Sequence, residues 1–212
     1  MDQLFFAFIA KLKELYMKDR IDGMLTHAEN AILVVDMQNA WVLPSSRFHV
    51  AGAYATLPAI AQFLDYGRAH DWAIIYICRI HRPSGIDAEL FRRHFFEEGH
   101  PVCIEGTPDA AICDAIKPKH GDIFVEKQRF SGFFQTDLDI VLRGLGVKNV
   151  YVTGTQYPNC VRGTAVDAMC LDYITTVVTD CCSAASEEVA EANIYDIRNM
   201  GIPCVPSTDI MK

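Results

Sequence analysis

Short apolar runs punctuate the chain: AILVVDM at 31–37, WAIIYICRI at 72–80, DIFVEK at 122–127, NVYVTGT at 149–155, ITTVVTD at 174–180 and IPCVPS at 202–207. They are rich in β-branched residues and barely alternate with polar ones, as strands covered on both faces of a parallel sheet require. Between them, apolar residues recur at helical spacing over 55–70, 136–145, 160–171 and 186–200. The order of strand and helix predicts an α/β domain, a doubly wound, mostly parallel sheet of five or six strands with helices on both faces.

Two stretches break the rhythm. Residues 81–121 carry Pro83, Gly85, Gly99, Pro101, Gly106 and Pro108, which predicts a short helix within a loop excursion of the long kind that often serves function. At the N-terminus, Leu4, Phe5, Phe8, Ile9, Leu12, Leu15 and Tyr16 share one helical face, so residues 1–28 read as an amphipathic helix and lead-in, and residues 29–212 as the domain. The apolar part of that segment is short and lysines follow it, which does not resemble a secretion signal. No run approaches the length of a membrane span.

Composition narrows the partners. A net charge of −8 over 212 residues, with 19 Lys and Arg, excludes nucleic acid as the main partner, because phosphate binding needs concentrated positive charge. The eight cysteines sit mostly in apolar or helical runs and form no CxxC pair. That pattern fits a reduced, cytoplasmic protein better than a disulfide scaffold or a zinc site. Cys78, Cys170 and Cys204 read as core residues, and His94, His100 and His120 as surface residues.

Ligands of open α/β sheets bind beyond the carboxyl ends of the strands. Asp36 ends one apolar run, Lys127 ends another, and Cys160 follows NVYVTGTQ at the mouth of a helix. A thiol, a carboxylate that can accept its proton and a lysine that favours the thiolate make a nucleophilic set. The helix N-terminus is expected to lower the thiol's pKa and to offer N–H groups to an oxyanion. Arg79, His81 and Arg82 follow the second run, where a cationic pair can hold a carboxylate or polarise a carbonyl. Trp41, Phe133, Phe134 and Tyr157 are candidates to wall a pocket.

The blocks DMQNAW, EKQRFSGFFQTDLDIVLRGLGVKNVYVTGTQ and NCVRGTAVDAMCLDY resemble the signature segments of the isochorismatase-like cysteine hydrolases, over about residues 30–206 by the strand order. The group includes nicotinamidases, N-carbamoylsarcosine amidases, ureidoacrylate amidohydrolases and biuret hydrolases. The resemblance implies a triad of Asp36, Lys127 and Cys160, an oxyanion hole from the backbone amides of Gln156 and Cys160, and a cis peptide between Thr155 and Gln156. Nicotinamidases carry a metal-binding Asp-x-His segment, whereas this chain has WVLPSSRFHVAGA with only His49 and a separate His81. The resemblance therefore implies no metal and no cofactor. Isochorismatases proper lack the cysteine, so hydrolysis of a C–N bond in a small amide, ureide or carbamoyl substrate is the activity implied. From their own positions, Trp41, Arg79, Arg82, Phe133 and Tyr157 are the candidate substrate contacts. The family's habit of pairing subunits, with the apolar N-terminal segment, implies a homo-oligomer, dimer or tetramer. The rival expectation is a thiol-based redox or binding protein that kept the fold without the hydrolase.

Overall fold

The computed structural model describes residues 20–21 and 23–212, and the side chains from Gly23 onward. The amphipathic helix expected within residues 1–28 falls mainly outside them. Two short antiparallel strands, β1 (Arg20–Ile21) and β2 (Met24–Leu25), lead into the domain.

Six strands follow: β3 (Asn30–Val35), β4 (Ala73–Arg79), β5 (Ile123–Lys127), β6 (Asn149–Thr155), β7 (Ile174–Ser183) and β8 (Cys204–Val205). They form one sheet in the order β5-β4-β3-β6-β7-β8, and every neighbouring pair is parallel. The continuous apolarity of the runs now has its cause. In β3, Ala31, Leu33 and Val35 point into one core and Ile32 and Val34 into the other, so every position after the half-buried Asn30 is buried and none of these needs to be polar. At the edge, Phe124 and Glu126 of β5 are exposed while Val125 and Lys127 are buried, which is the alternation of a strand covered on one face.

Seven α-helices are described: α1 (Asn39–Val42), α2 (Leu57–Ala69), α3 (Arg93–Glu97), α4 (Leu138–Leu145), α5 (Arg162–Cys170), α6 (Glu187–Asn199) and α7 (Ser207–Ile210). Helix α2 sets Ile60, Phe63 and Leu64 against one sheet face. Helices α4, α5 and α6 cover the other with Leu138 and Leu142, Ala165 and Ala168, and Ile197. Local sequence fixes the ends. Ser186 accepts a hydrogen bond from the Val189 N–H ahead of Glu187 and Glu188 in the first turn of α6, the side-chain cap and acidic start that a helix N-terminus favours. Gly146 takes a left-handed conformation to close α4.

The excursion at 81–121 holds a 3-10 turn (Leu90–Arg92), α3 and a second 3-10 turn (Asp114–Ile116). Single bridges tie it to the sheet's exit loops, His81 with Ile104 and Gln38 with Ile112. Because β3 neighbours both β4 and the later β6, the chain reverses its winding direction there, and a crevice opens beyond the carboxyl ends of β3 and β6.

Candidate active site

That crevice is a cleft with ≈ 270 Å³ of empty space, lined by Asp36, Trp41, Val50, Arg79, Arg92, Thr155, Gln156, Asn159 and Cys160. Strand endings supply its polar floor. Asp36 directly follows β3, Arg79 and Lys127 are register partners at the last positions of β4 and β5, and Thr155 ends β6. Four parallel strands thus deliver their terminal polar side chains to one edge.

The backbone is specialised where it turns. Asp36 has φ 51, a left-handed conformation that aspartate tolerates better than most residues and that marks many functional sites. At Gly154, φ is 109 and an added Cβ would run into the Val35 carbonyl, so glycine alone lets β6 close on β3 at this point. The β6–β7 register shifts there as well, between Val152 and Gly154, and such bulges re-aim the chain beside active sites. The Thr155–Gln156 peptide is cis. Residues Tyr157–Val161 then form a π-helical turn that leads into α5, so Cys160 lies in that turn, just ahead of the regular helix at Arg162.

Lys127 is fully buried and donates to Asp36 Oδ2 at 2.7 Å and to the Arg129 carbonyl at 3.1 Å. The other Asp36 oxygen, Oδ1, is buried without a hydrogen-bond partner. Arg79, also fully buried, donates from Nη1 to Glu89 Oε1 at 2.8 Å and to the Gln128 carbonyl at 3.0 Å. Its Nη2 donates to the Arg129 carbonyl at 3.0 Å and approaches Cys160 Sγ at 3.8 Å. Gln38 locks this arrangement. Its Oε1 accepts from the Arg79 N–H at 2.7 Å while its Nε2 donates to the Arg79 and Ala110 carbonyls, both at 2.8 Å.

Burial pushes the Cys160 thiol above the ordinary cysteine range, and the Asp36 charge adds to the rise, whereas Lys127 and Arg79 pull it back. The direction opposes the lowered value expected from the helix N-terminus: the cost of burying a thiolate, with the Asp36 charge, outweighs both cations. A thiol moved in that direction keeps its proton at neutral pH.

Of the remaining sequence candidates, Trp41 lines the cleft. Arg82 does not: its side chain is 75% exposed, near Asp87 and outside the cleft. Beyond the last sheet position the chain has turned outward. Tyr157 is buried in the core and its hydroxyl donates to the Thr179 carbonyl, while Phe133 packs on that core and stacks with Tyr173. Phe134 is half exposed. Large aromatics beside a core gained more from packing than from facing a small cleft. Cys170 is exposed at the end of α5, against the expectation of a core residue, whereas Cys78 and Cys204 are buried.

Arg92 and Glu89 are the residues that the sequence reading passed over. They lie in the 81–121 excursion, and only its return over the sheet edge brings them to the site. Among the described residues no group of three or more His, Cys, Asp or Glu side chains is placed to hold a metal ion, and no helix is long and apolar enough to cross a membrane.

Comparison with known proteins agrees with this geometry. The isochorismatase domain profile matches residues 30–209. A crystal structure of an isochorismatase family protein from Desulfovibrio vulgaris superposes with a TM-score of 0.85 at 48% identity, covering 87% of this chain and 97% of that one. The "probable inactive nicotinamidase" of Arabidopsis thaliana is 38% identical, covering 81% of this chain and 89% of its own. A ureidoacrylate amidohydrolase of Rhizobium rhizogenes is 31% identical, with 82% and 78% covered. With the six-stranded parallel sheet, the crevice at its winding reversal and a domain profile that runs through every strand of that sheet, the chain belongs to the isochorismatase family of hydrolases.

Proposed function

We propose that this hydrolase cleaves a C–N bond in a small amide, ureide or carbamoyl substrate through a thioester on Cys160. The observation that carries the reading is the meeting of Cys160 and Asp36 in one cleft, with Lys127 bonded to Asp36 at 2.7 Å behind it. Relatives named as amidohydrolases support the bond type.

The roles follow from the charge states. Asp36 takes the thiol proton as the sulfur attacks the substrate carbonyl, so the buried thiolate forms only when it is consumed. The carbonyl oxygen becomes an oxyanion held by the backbone N–H groups of Gln156 and Cys160. As the tetrahedral species collapses, the C–N bond breaks and Asp36 returns its proton to the departing nitrogen. Asp36 then accepts a proton from water attacking the thioester, and the sulfur leaves with that proton. Lys127 holds the Asp36 carboxylate in place and balances its charge. Arg79, 3.8 Å from the sulfur, offsets the negative charge that the sulfur gains.

The redox rival finds less support. Burial pushes the Cys78 thiol up to about 12 and the Cys113 thiol up to about 11, and thiols so rarely ionised are slow to oxidise. The eight free thiols suit a reducing cytoplasm. Exposed Ile86, Leu90 and Phe91 on the loop that carries Arg92 favour a homo-oligomer, which light scattering at micromolar concentration will test.

The deciding experiment is a screen of small amides and ureides for release of ammonia or amine, with Cys160→Ala beside the wild type. Loss of at least about a thousandfold in kcat is expected. Retention of more than about a tenth of the activity, a barrier change under ~1.4 kcal/mol, would rule out the thioester.

A further inference from the structure

The cleft holds more positive charge than its chemistry uses. Lys127 is matched by Asp36 at 2.7 Å and Arg79 by Glu89 at 2.8 Å. Arg92, a cleft-lining residue with a side chain only 12% exposed, is left with the far oxygen of that same Glu89, Nε to Oε2 at 3.4 Å. The contact makes no hydrogen bond, and both Arg92 Nε and Glu89 Oε2 are buried without a hydrogen-bond partner. Among the described residues no acceptor takes a hydrogen bond from the Arg92 guanidinium. Burial and the repulsion of Arg79 both act against its charge.

Trp41 has the same shortfall. Its indole Nε1 is buried without a partner, and it lines the same cleft. The Arg92 guanidinium carbon lies 5.4 Å from the Trp41 ring centroid, 5.0 Å from that of Phe91 and 5.8 Å from that of Phe130. The rings hold the guanidinium in place and occupy the space around it. Guanidinium and indole N–H groups donate and never accept, so the ligand group that satisfies both is acceptor-only. A planar anion matches the fork of the guanidinium and cancels the surplus charge.

We propose that Arg92 and Trp41 form a carboxylate clamp, and that the substrates of this enzyme are small acid amides or ureido acids that carry an ionised carboxylate away from the scissile C–N bond. The clamp rests on the thioester reading for the scissile bond and stands on its own for the carboxylate. It makes Arg92 a specificity residue, whereas Arg79, its donors taken up by Glu89, two carbonyls and the Cys160 sulfur, serves the nucleophile.

The test does not require turnover. Cys160 is alkylated with iodoacetamide and followed by intact mass in the presence of the half-amides malonamate, succinamate and glutaramate, each beside the neutral diamide of the same length. For at least one length the half-amide should protect Cys160 at a concentration about tenfold or more below its diamide, the size expected of charge-assisted hydrogen bonds. That preference should vanish in Arg92→Gln, survive in part in Arg92→Lys, which keeps charge but not the fork, and shrink in Trp41→Phe, which keeps the ring but not the N–H. Equal protection by diamide and half-amide at all three lengths overturns the clamp, as does a preference that persists in Arg92→Gln. Should Arg92→Gln fail to fold, an undiminished preference in Trp41→Phe overturns it instead. Selective protection with no hydrolysis of any amide would remove the thioester reading and leave the clamp; hydrolysis of neutral and acidic amides at equal rates would do the reverse.

Discussion

Cys160 at the cleft and the pair Cys181 and Cys182 in β7 are buried cysteines of one molecule with contrasting surroundings. Burial is the largest cause raising all three thiols. Around Cys181 the next influences, the charge of Asp180 and the neighbouring Cys182, raise it further; around Cys182 the next is Cys204. No cation is among the leading influences on either thiol. Around Cys160 two cations, Lys127 and Arg79, oppose the rise, and in the proposed mechanism Asp36 takes the proton. Burial alone makes a thiol inert; under the proposed mechanism, burial beside a base and two cations makes it inert at rest and reactive on demand.

The strongest way to break this contrast is to remove the base. Asp36→Asn should cut turnover by about 10²- to 10⁴-fold, the usual worth of a positioned general base. The same variant should alkylate at Cys160 faster at a given pH, because the Asp36 charge that raises the thiol is gone. Alkylation that slows alongside turnover would mean that Asp36 favours the thiolate, against the electrostatics argued here.

Removing the cation is the next largest effect. Lys127→Ala strands a buried Asp36 charge and should cost about 3–5 kcal/mol of stability, with slower alkylation of Cys160 because its pKa climbs further. Joining it with Asp36→Asn should recover much of that stability, since no charge is then left unpaired. Urea unfolding of the two single variants and the double variant measures the coupling.

Alkaline pH sharpens the inert side of the contrast. Cys78, pushed up to about 12 first by burial and then by the Asp36 charge, keeps its proton where an unfolded cysteine, at about 8.5, has lost it. The folded state then binds more protons than the unfolded one, so stability falls as pH rises from about 9 towards 12. Melting temperature against pH should drop less steeply in Cys78→Ala than in the wild type. The smallest effect belongs to Arg82→Ala, which should change activity by less than about twofold and stability by no more than ~0.5 kcal/mol, as for other exposed positions. A larger loss in steady-state kinetics would return Arg82 to the site.

Much of this was legible before any coordinates. Strands buried on both faces leave an apolar signal with little alternation, so β3, β4, β6 and β7 could be placed to within a few residues, and Asp36 and Lys127 stood out as charges closing apolar runs. The helix now labelled α5 was read as starting at Cys160, but the π-helical turn Tyr157–Val161 delays it to Arg162. Just ahead of that turn β6 approaches β3 closely at Gly154, which no local pattern encodes.

The sequence by itself determined the order of strand and helix, the apolar faces and the terminal polar residues of the strands, because those follow from periodicity and from the need to bury each strand on both sides. Tertiary structure alone decided which of those polar residues meet. Arg79 and Arg82 stand three residues apart, yet the last rung of the sheet holds one fully buried against Glu89 and releases the other to solvent. Arg92 reaches the cleft only because the 81–121 excursion folds back, and Tyr157 and Phe133 leave it for the core. The thiol's pKa belongs to the same class of property. It is set by a sum over burial, Asp36, Lys127 and Arg79, groups brought from three strand ends to a cysteine that follows a fourth, and such a sum exists only once the sheet has been assembled.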